Sequence, residues 1–153
     1  MSASSAEPHS PRKRVSAIVP TLNRRKDLLE FAASLAAQTV RPDELLVVDA
    51  GDVPDMEAAL RAALDASGIA LIYRRSEAGT SLQRNIALDL CTGDFVFMFD
   101  DDCLMAPDYV ERMLAAFDHP ASPPVGCVLA TFDNEPRPRG MRQRYFKLFG
   151  MTH

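Results

Sequence analysis

The chain of 153 residues is 47% hydrophobic and 25% charged, which is ordinary for one globular domain and enough to bury a sizeable core. Its 17 Lys and Arg against 21 Asp and Glu give a net charge of −4, which argues against a general nucleic-acid binder with its basic surface. Three separated cysteines argue against a disulfide framework and a zinc site. No apolar run has the roughly 20 residues of a membrane helix or the form of a signal peptide, so we expect a cytoplasmic protein.

Residues 1–14 are small, polar and proline-containing, and they end in the basic triplet Arg12-Lys13-Arg14. Because this segment has too little apolar surface to offset the entropy lost on ordering, we predict a disordered tail. The triplet could contact acidic phospholipid or nucleic acid, but we interpret it as a solvated lead-in to the domain that follows.

From Val15 onward, short apolar runs alternate with segments of helical periodicity. The predicted strands are Val15–Val19, Leu45–Val48, Ile69–Tyr73, Phe95–Phe99 and Val125–Thr131. The predicted helices are Arg25–Gln38, Pro54–Ser67, Thr80–Cys91 and Pro107–Phe117. Because the strands are continuous apolar runs and alternate with helices, the pattern predicts an α/β domain with a mainly parallel sheet and helices on both faces.

Polar segments follow the first four predicted strands, at the end of the strand where a parallel sheet binds its ligands. These segments are Pro20–Asn23, Asp49–Asp52, Ala78–Ser81 and Asp100–Asp102. With the usual right-handed crossovers, all four meet at one edge of the sheet. We therefore expect a ligand site at this edge.

The three adjacent carboxylates of Asp100–Asp102 repel one another unless a cation or hydrogen bonds compensate. If the chain is still extended there, Asp100 and Asp102 point to one side and Asp101 to the other, which pairs two oxygen ligands for a divalent cation. The alternative is a solvated acidic loop that caps a helix. The position directly after an apolar strand, where the other polar loops gather, favours a metal site.

Two further segments carry weaker signals. Residues 79–81, Gly-Thr-Ser, precede a helix whose N-terminus could bind a phosphate, with Arg84 one turn further on. An ordinary helix cap by Thr80 or Ser81 with a solvated arginine is the favoured interpretation. Asp49 could accept a hydrogen bond from a base or a ribose hydroxyl, or it could form the turn before Gly51, and the sequence does not separate these two roles.

Four segments together resemble the family 2 nucleotide-sugar glycosyltransferases, over about residues 15–117. They are VSAIVPTLNR at 15–24, ELLVVDAGD at 44–52, Gly79 followed by Gln83-Arg84-Asn85, and GDFVFMFDDDCLMAPDYVERM at 93–113. The resemblance implies a Rossmann-like GT-A fold and a nucleotide-diphosphate sugar donor of the UDP, GDP or dTDP type. It also implies Mn²⁺ or Mg²⁺ and inverting transfer to a glycan, lipid or small-molecule acceptor.

The resemblance also assigns residues to the donor site. The implied donor-binding residues are Pro20, Thr21 and Asn23 beside the nucleotide, Asp49 at the base, Arg84 and Asn85 near the donor, and Asp100 and Asp101. Within the DxD motif, Asp102 is the implied direct metal ligand, and Asp100 shares the metal site while lying nearer the ribose or sugar. Ala50 and Asp52 stand where the family commonly has a second Asp and a Ser, which could signal a different nucleotide preference.

Members of the family that this chain resembles normally continue well beyond this length. They add an acceptor-binding half and an Asp or Glu that deprotonates the acceptor hydroxyl. We therefore expect the catalytic base beyond His153 and interpret the chain as a truncated donor-binding portion with little or no activity alone. In this interpretation residues 15–135 form the nucleotide-sugar-binding domain. The alternatives are a non-catalytic nucleotide-sugar-binding module and a non-functional gene fragment with an exposed sheet edge.

Residues 136–153 interleave Arg and Lys with aromatic side chains. One interpretation is a basic amphipathic helix that contacts the inner face of a membrane, where lipid-linked acceptors would be found. We favour the other interpretation, a helix that packs against the missing acceptor half.

Overall fold

The computed structural model describes residues 12–118, 120 and 124–130. The chain divides into two compact units, Met1–Ala115 and Ala116–His153. The strands are β1 (Val15–Thr21), β2 (Glu44–Asp49), β3 (Ala70–Arg75) and β4 (Phe95–Met98). The helices are α1 (Arg25–Ala36), α2 (Met56–Leu64), α3 (Thr80–Leu90) and α4 (Tyr109–Phe117). The predicted alternation of strand and helix is confirmed for these elements.

The sheet is parallel throughout, in the order β3-β2-β1-β4. The side chains of the central strands β1 and β2 are almost all buried, whereas β3 and β4 are more exposed at the edges. The chain places β2 and β3 on one side of β1 and then returns to place β4 on the other side. A parallel sheet binds ligands at such a switch point, which here lies at the carboxyl ends of β1 and β4.

Helices cover both faces of the sheet, as predicted. On one face, Phe31 of α1, Leu60 of α2 and Val110 of α4 join a single buried cluster. On the other face, Ala87 of α3 packs against Ile18 in a smaller cluster. Full burial of a large apolar side chain contributes roughly 1.5–3 kcal/mol, so these two clusters fix the strands and the loops that follow them.

An aromatic cluster anchors the chain just before the aspartate triplet. Phe99 is 5% exposed, and its ring centroid lies 5.3 Å from that of Phe31 and 5.9 Å from that of Tyr109. Its backbone N–H donates to the carbonyl of Ile18 at 3.0 Å. Ring packing and this hydrogen bond together place Asp100 at the carboxyl end of β1.

Strand β1 continues past the predicted end at Val19 and includes Pro20. Alternate residues of a strand direct their backbone groups to the same neighbour, so Pro20 faces the same side as Ile18, which is the β4 side. The registered pairing of β1 with β4 ends at Ile18 and Met98. Proline is tolerated there because its missing N–H falls beyond the last rung of that ladder.

Two helices begin later than predicted, each for a local reason. α2 begins at Met56 rather than Pro54, because Asp55 has a left-handed φ of 55° that helical backbone does not adopt. α4 begins at Tyr109 rather than Pro107, because the chain first makes a turn in which the Tyr109 N–H donates to the Ala106 carbonyl at 3.0 Å.

The predicted fifth strand, Val125–Thr131, is wrong over residues 125–130, which have no strand conformation. A strand needs a ladder partner, and no pairing involves these residues in the described part of the chain. Leu129 is 80% exposed, so the apolar run is not buried as a core strand would be. Thr131 lies outside the described residues.

The basic triplet at residues 12–14 is exposed but makes specific contacts. Arg12 Nη2 lies 3.4 Å from Asp43 Oδ1, and the Arg14 N–H donates to the Asp94 carboxylate at 2.8 Å. These residues are therefore solvated, as expected, and also contact the domain that follows. The rest of the predicted tail, residues 1–11, and the basic aromatic segment 136–153 lie outside the described residues. Within the described ranges, no helix has both the length and the apolar character that crossing a membrane requires.

Candidate functional site

A cleft of about 680 Å³ opens at the carboxyl edge of the sheet. Pockets that hold small ligands commonly have volumes of about 300–1,000 Å³. The cleft is formed by the loops after β1, β3 and β4 together with the start of α3, so these polar segments meet at one edge as predicted. It is lined by Pro20, Thr21, Leu22, Arg24, Ala78, Gly79, Thr80, Gln83, Asp100, Asp101 and Asp102.

The three aspartates of the cleft divide into one buried and two exposed carboxylates. Asp101 is 6% exposed and accepts hydrogen bonds from Thr21 Oγ1 at 2.8 Å and from Arg24 Nη1 at 3.1 Å. The side chains of Asp100 and Asp102 are 61% and 57% exposed. The chain is not extended here, since it turns at residues 101–102, but the predicted separation of Asp101 from the other two aspartates is present.

Each exposed aspartate pairs with an arginine. Arg84 Nη2 lies 2.6 Å from Asp100 Oδ1, and Arg24 Nη1 lies 2.9 Å from Asp102 Oδ2. The attraction of the Asp101 charge and the hydrogen bond to Asp102 raise the pKa of Arg24 above its ordinary value. The two guanidinium groups therefore compensate the repulsion that three adjacent carboxylates would otherwise experience.

The N-terminus of α3 opens on the cleft without a side-chain cap. Gly79 is the N-cap residue, and no side chain there accepts a hydrogen bond from the first turn. The favoured interpretation of an ordinary cap by Thr80 or Ser81 with a solvated Arg84 is therefore wrong. The first N–H groups and the positive end of the helix dipole remain available to an anion.

Gln83 fixes the start of α3 to the sheet. It is 4% exposed, and its Nε2 donates to the carbonyls of Thr21 at 2.9 Å and Val48 at 2.7 Å. These carbonyls lie at the carboxyl ends of β1 and β2, so one buried amide holds the helix N-terminus over the switch point. The Nε of Arg84, one residue further on, is buried and has no hydrogen-bond partner in the described part of the chain.

Asp49 is completely buried at the end of β2 and does not line the cleft. One of its carboxylate oxygens accepts the Gly51 N–H at 2.7 Å, which confirms its role in the turn. The other accepts the Tyr73 hydroxyl and lies 3.5 Å from Arg75 Nη1. Burial and the hydrogen bond to Asp49 raise the pKa of Tyr73 to about 12.

Asn23 joins the loops after β1 and β2 instead of lining the cleft. Its φ of 56° is left-handed, and its Oδ1 accepts the Asp52 N–H at 2.8 Å. A Cβ at residue 51 would overlap Asn23, so this close approach requires Gly51. Pro20 does line the cleft, whereas Asn85 is exposed on α3 and lies outside the lining.

Among the residues with defined contacts at this edge, Arg24, Tyr73, Arg75 and Gln83 have no role in the sequence analysis. Arg24 contacts carboxylates 77 and 78 positions away, and no local pattern marks such a pair. Gln83 could have been found, because it lies within the segment that carries the family resemblance and occupies the buried side of a helix. In the sequence, Tyr73 is indistinguishable from the apolar residues of its strand, because its hydrogen bond to Asp49 depends on the pairing of β2 with β3.

A model of the family described as Glycosyl transferase family 2 matches residues 16–152, and the chain belongs to this family. The chain is 30% identical over 108 residues to the glucosyl-dolichyl phosphate glucuronosyltransferase of Haloferax volcanii, covering 69% of this chain and 34% of that protein. The chain thus spans about a third of the length of this relative and of one other curated glycosyltransferase, and 17% of the length of two more.

Solved glycosyltransferase structures share the fold. The mannosyltransferase PcManGT of Pyrobaculum calidifontis, in complex with GDP-Man and Mn²⁺, is 27% identical with a TM-score of 0.57, covering 67% of this chain and 32% of that chain. S. aureus TarS 1-349 in complex with UDP-GlcNAc is 27% identical with a TM-score of 0.57, covering 69% of this chain and 31% of that chain. The predicted α/β architecture of the GT-A type is thereby confirmed.

Proposed function

We propose that this chain binds a nucleotide-diphosphate sugar in the cleft, as the donor-binding portion of a metal-dependent, inverting glycosyltransferase. One observation carries the proposal: the exposed carboxylates of Asp100 and Asp102 and the uncapped N-terminus of α3 line the same cleft. Carboxylates suit a divalent cation, and a helix N-terminus suits a phosphate. The GDP-Man, Mn²⁺ and UDP-GlcNAc complexes of similar proteins support this class of ligand.

The donor set of the cleft fits Mn²⁺ or Mg²⁺. Both cations take oxygen ligands, and Mg²⁺ is usually bound by one or two carboxylates, with waters and substrate phosphates completing its shell. In the described residues no group of three or more His, Cys, Asp or Glu side chains is placed to hold a metal ion, so the proposal rests on two carboxylates. We propose Asp102 as the direct ligand and Asp100 as the second. When bound, the cation would neutralise charge on the diphosphate leaving group.

The remaining side chains of the cleft divide into those that hold the ligand and those that position others. The first N–H groups of α3 would bind the phosphates at the cleft. Arg84 lies outside the cleft lining but contacts Asp100, which is part of it, and we propose that it assists with a charge-assisted hydrogen bond. Asp101 is buried between Thr21 and Arg24, so we assign it a positioning role rather than contact with the donor. Gln83 keeps the helix N-terminus in register with β1 and β2.

The nucleoside would lie along the loops after β1 and β2. Pro20 and Thr21 line the cleft on this side, and Asn23 ties the two loops together. Because Asp49 is buried and lies outside the cleft lining, we propose that it affects base recognition indirectly, by holding the loop after β2 in place. Its contacts with Tyr73 and Arg75 fix the carboxylate in that role. UDP, GDP and dTDP types all remain candidate donors.

Transfer needs two further components besides the donor site. Inverting displacement requires a base that deprotonates the acceptor hydroxyl and a surface that holds a glycan, lipid or small-molecule acceptor. We assign neither component to a residue of this chain. The chain alone is therefore expected to bind donor with little or no sugar transfer.

Isothermal titration calorimetry tests the proposal directly. The chain is titrated with UDP, GDP and dTDP, each with and without Mn²⁺, and one of the three is expected to bind tightly only when Mn²⁺ is present. Asp102→Asn is expected to remove this metal dependence. Asp108→Asn is the matched control, because Asp108 is a similarly exposed carboxylate, 51% against 57%, and also contacts an arginine.

Two results would overturn the proposal. One is the absence of binding by any of the three nucleotides in a chain that unfolds cooperatively. The other is metal-dependent binding that survives in Asp102→Asn unchanged.

A further inference from the structure

We propose that Arg24 is a resident counter-ion of the aspartate triplet, which holds Asp102 until a divalent cation takes that carboxylate and then turns to the donor diphosphate. The part of this inference that concerns the diphosphate rests on the proposed function. The part that concerns the metal rests on the contacts of Arg24 and on the proposed role of Asp102 as a metal ligand.

One nitrogen of Arg24 bridges two carboxylates. Its Nη1 lies 3.1 Å from Asp101 Oδ1 and 2.9 Å from Asp102 Oδ2. A single positive group between two adjacent carboxylates is what a bound cation would also provide. Arg24 therefore competes with a metal for Asp102.

The two carboxylates that contact Arg24 differ in burial. The Asp101 side chain is 8% exposed and is also held by Thr21 Oγ1 at 2.8 Å, so it cannot turn away. The Asp102 side chain is 57% exposed, and an exposed ion pair of this kind contributes little stability. The Arg24–Asp102 contact can therefore break while the Arg24–Asp101 contact persists.

The position of Arg24 gives it a second ligand after this exchange. Its side chain is 52% exposed and lines the cleft together with the N-terminus of α3. An arginine freed from one carboxylate offers unused N–H donors, which bind phosphate oxygens with charge-assisted hydrogen bonds. Metal binding at Asp102 would in this way prepare the cleft for the diphosphate, and the diphosphate would favour metal binding by the same factor.

Mn²⁺ binding to the chain without nucleotide tests the first step. Free Mn²⁺ is measured by electron paramagnetic resonance in titrations of wild type, Arg24→Gln and Arg61→Gln. Removal of the competing ion pair is expected to make Arg24→Gln bind Mn²⁺ roughly two- to fivefold more tightly than wild type. Arg61→Gln is the matched control, because it breaks the exposed Arg61–Glu57 pair on α2 and is expected to change nothing.

The second step is tested with the nucleotide diphosphate that calorimetry selects. In the presence of Mn²⁺, Arg24→Gln is expected to bind it about tenfold more weakly than wild type, since a hydrogen bond to a charged group is lost. In the absence of metal, Asp102→Asn is expected to bind it at least as tightly as wild type, because Arg24 is already released. This arm also stands if Arg24→Gln fails to fold, which circular dichroism would show.

Mn²⁺ affinity in folded Arg24→Gln that equals or falls below that of wild type would overturn the inference. Weaker metal-free nucleotide binding by Asp102→Asn would also overturn it. Failure of the proposed function looks different, because wild type would then bind no nucleotide while the Mn²⁺ titration would still report on Arg24.

Discussion

Carboxylates at the two ends of the parallel sheet differ in burial and in their partners. At the amino edge, Glu44 is 4% exposed and accepts hydrogen bonds from Ser16 Oγ at 2.6 Å and from the Thr92 N–H at 2.7 Å. At the carboxyl edge, Asp100 and Asp102 are more than half exposed and each contacts an arginine side chain. A buried carboxylate with several hydrogen-bond donors stabilises the fold, whereas an exposed carboxylate paired with one arginine is accessible to a ligand.

The pKa of Glu44 reflects its role in stabilising the fold. Burial alone would raise it, but the hydrogen bonds from Ser16 and Thr92 outweigh burial and leave the pKa of Glu44 below its ordinary value. Asp101 and Asp49 do not follow this division, since both lie at the carboxyl edge yet are buried. Asp101 is engaged by Thr21 and Arg24, and Asp49 by Tyr73 and the Gly51 N–H. Position along the strand therefore does not decide the role of a carboxylate, but its burial and partners do.

The largest effect is expected from Gly93→Ala at the amino edge. A Cβ at this position would lie 2.6 Å from both the backbone nitrogen and the Oγ of Ser16, and the strand cannot yield. We expect a loss of about 3 kcal/mol in the free energy of unfolding, measured with urea. Gly126→Ala, with open space around the added methyl group, is the control and should change the stability by less than about 0.5 kcal/mol.

Asp101→Ala tests whether the buried Asp101 carboxylate stabilises the fold. The Thr21 hydroxyl would lose its buried acceptor, so we expect a loss of about 2 kcal/mol in urea unfolding. A change of less than about 0.5 kcal/mol, typical of a surface substitution, would show that Asp101 belongs with the ligand-binding carboxylates instead.

The pH dependence of Glu44→Gln tests whether the charge of Glu44 stabilises the fold. Because the folded-state pKa of Glu44 is lowered, its stabilisation is present above the unfolded-state pKa of about 4.3 and is lost as the pH falls through the folded-state value. We expect Glu44→Gln to cost about 1.5 kcal/mol at pH 7 and the difference from wild type to narrow steadily below about pH 4. Urea unfolding at several pH values measures this, with the exposed Glu57→Gln as control. A difference that stays constant with pH would contradict the assigned role of the Glu44 charge.

The smallest stability effect is expected from Asp102→Asn. Its contact with Arg24 is an exposed ion pair, so the free energy of unfolding should change by less than about 0.5 kcal/mol. A loss of unfolding free energy as large as that of Asp101→Ala would mean that both carboxylates stabilise the fold. Asp102 would then not be available to a ligand.

The fold was largely predictable because its determinants are local. The apolar runs of β1 and β2 and the helical spacing of Leu28, Phe31 and Leu35 on α1 identify buried strands and a helix face without tertiary information. The run over residues 125–130 is apolar like the strands, but it pairs with no strand in the described part of the chain. Apolar character alone does not reveal whether a pairing partner exists.

The site was predictable at the level of segments and less so at the level of contacts. The aspartate triplet and the start of α3 carry local signals, and topology alone brings them to one edge. The Arg24 bridge and the Tyr73–Asp49 hydrogen bond join residues far apart in the chain, whose approach depends on how the crossover helices pack. Asp49 is an example of what the sequence does not reveal. A carboxylate at a strand end can face a ligand or close a turn, and the surrounding side chains determine which of the two it does.

The most direct test of the division between the two edges is a thermal melting experiment on wild type, Glu44→Gln and Asp102→Asn, each with and without Mn²⁺ and the selected nucleotide. A ligand at about 100 times its dissociation constant stabilises the folded state by roughly 2.7 kcal/mol, which gives a clear rise in the melting temperature. We predict that Glu44→Gln lowers the melting temperature but keeps the ligand-induced rise, and that Asp102→Asn keeps the melting temperature but loses the rise. A rise retained in Asp102→Asn, or lost in Glu44→Gln, would contradict the account.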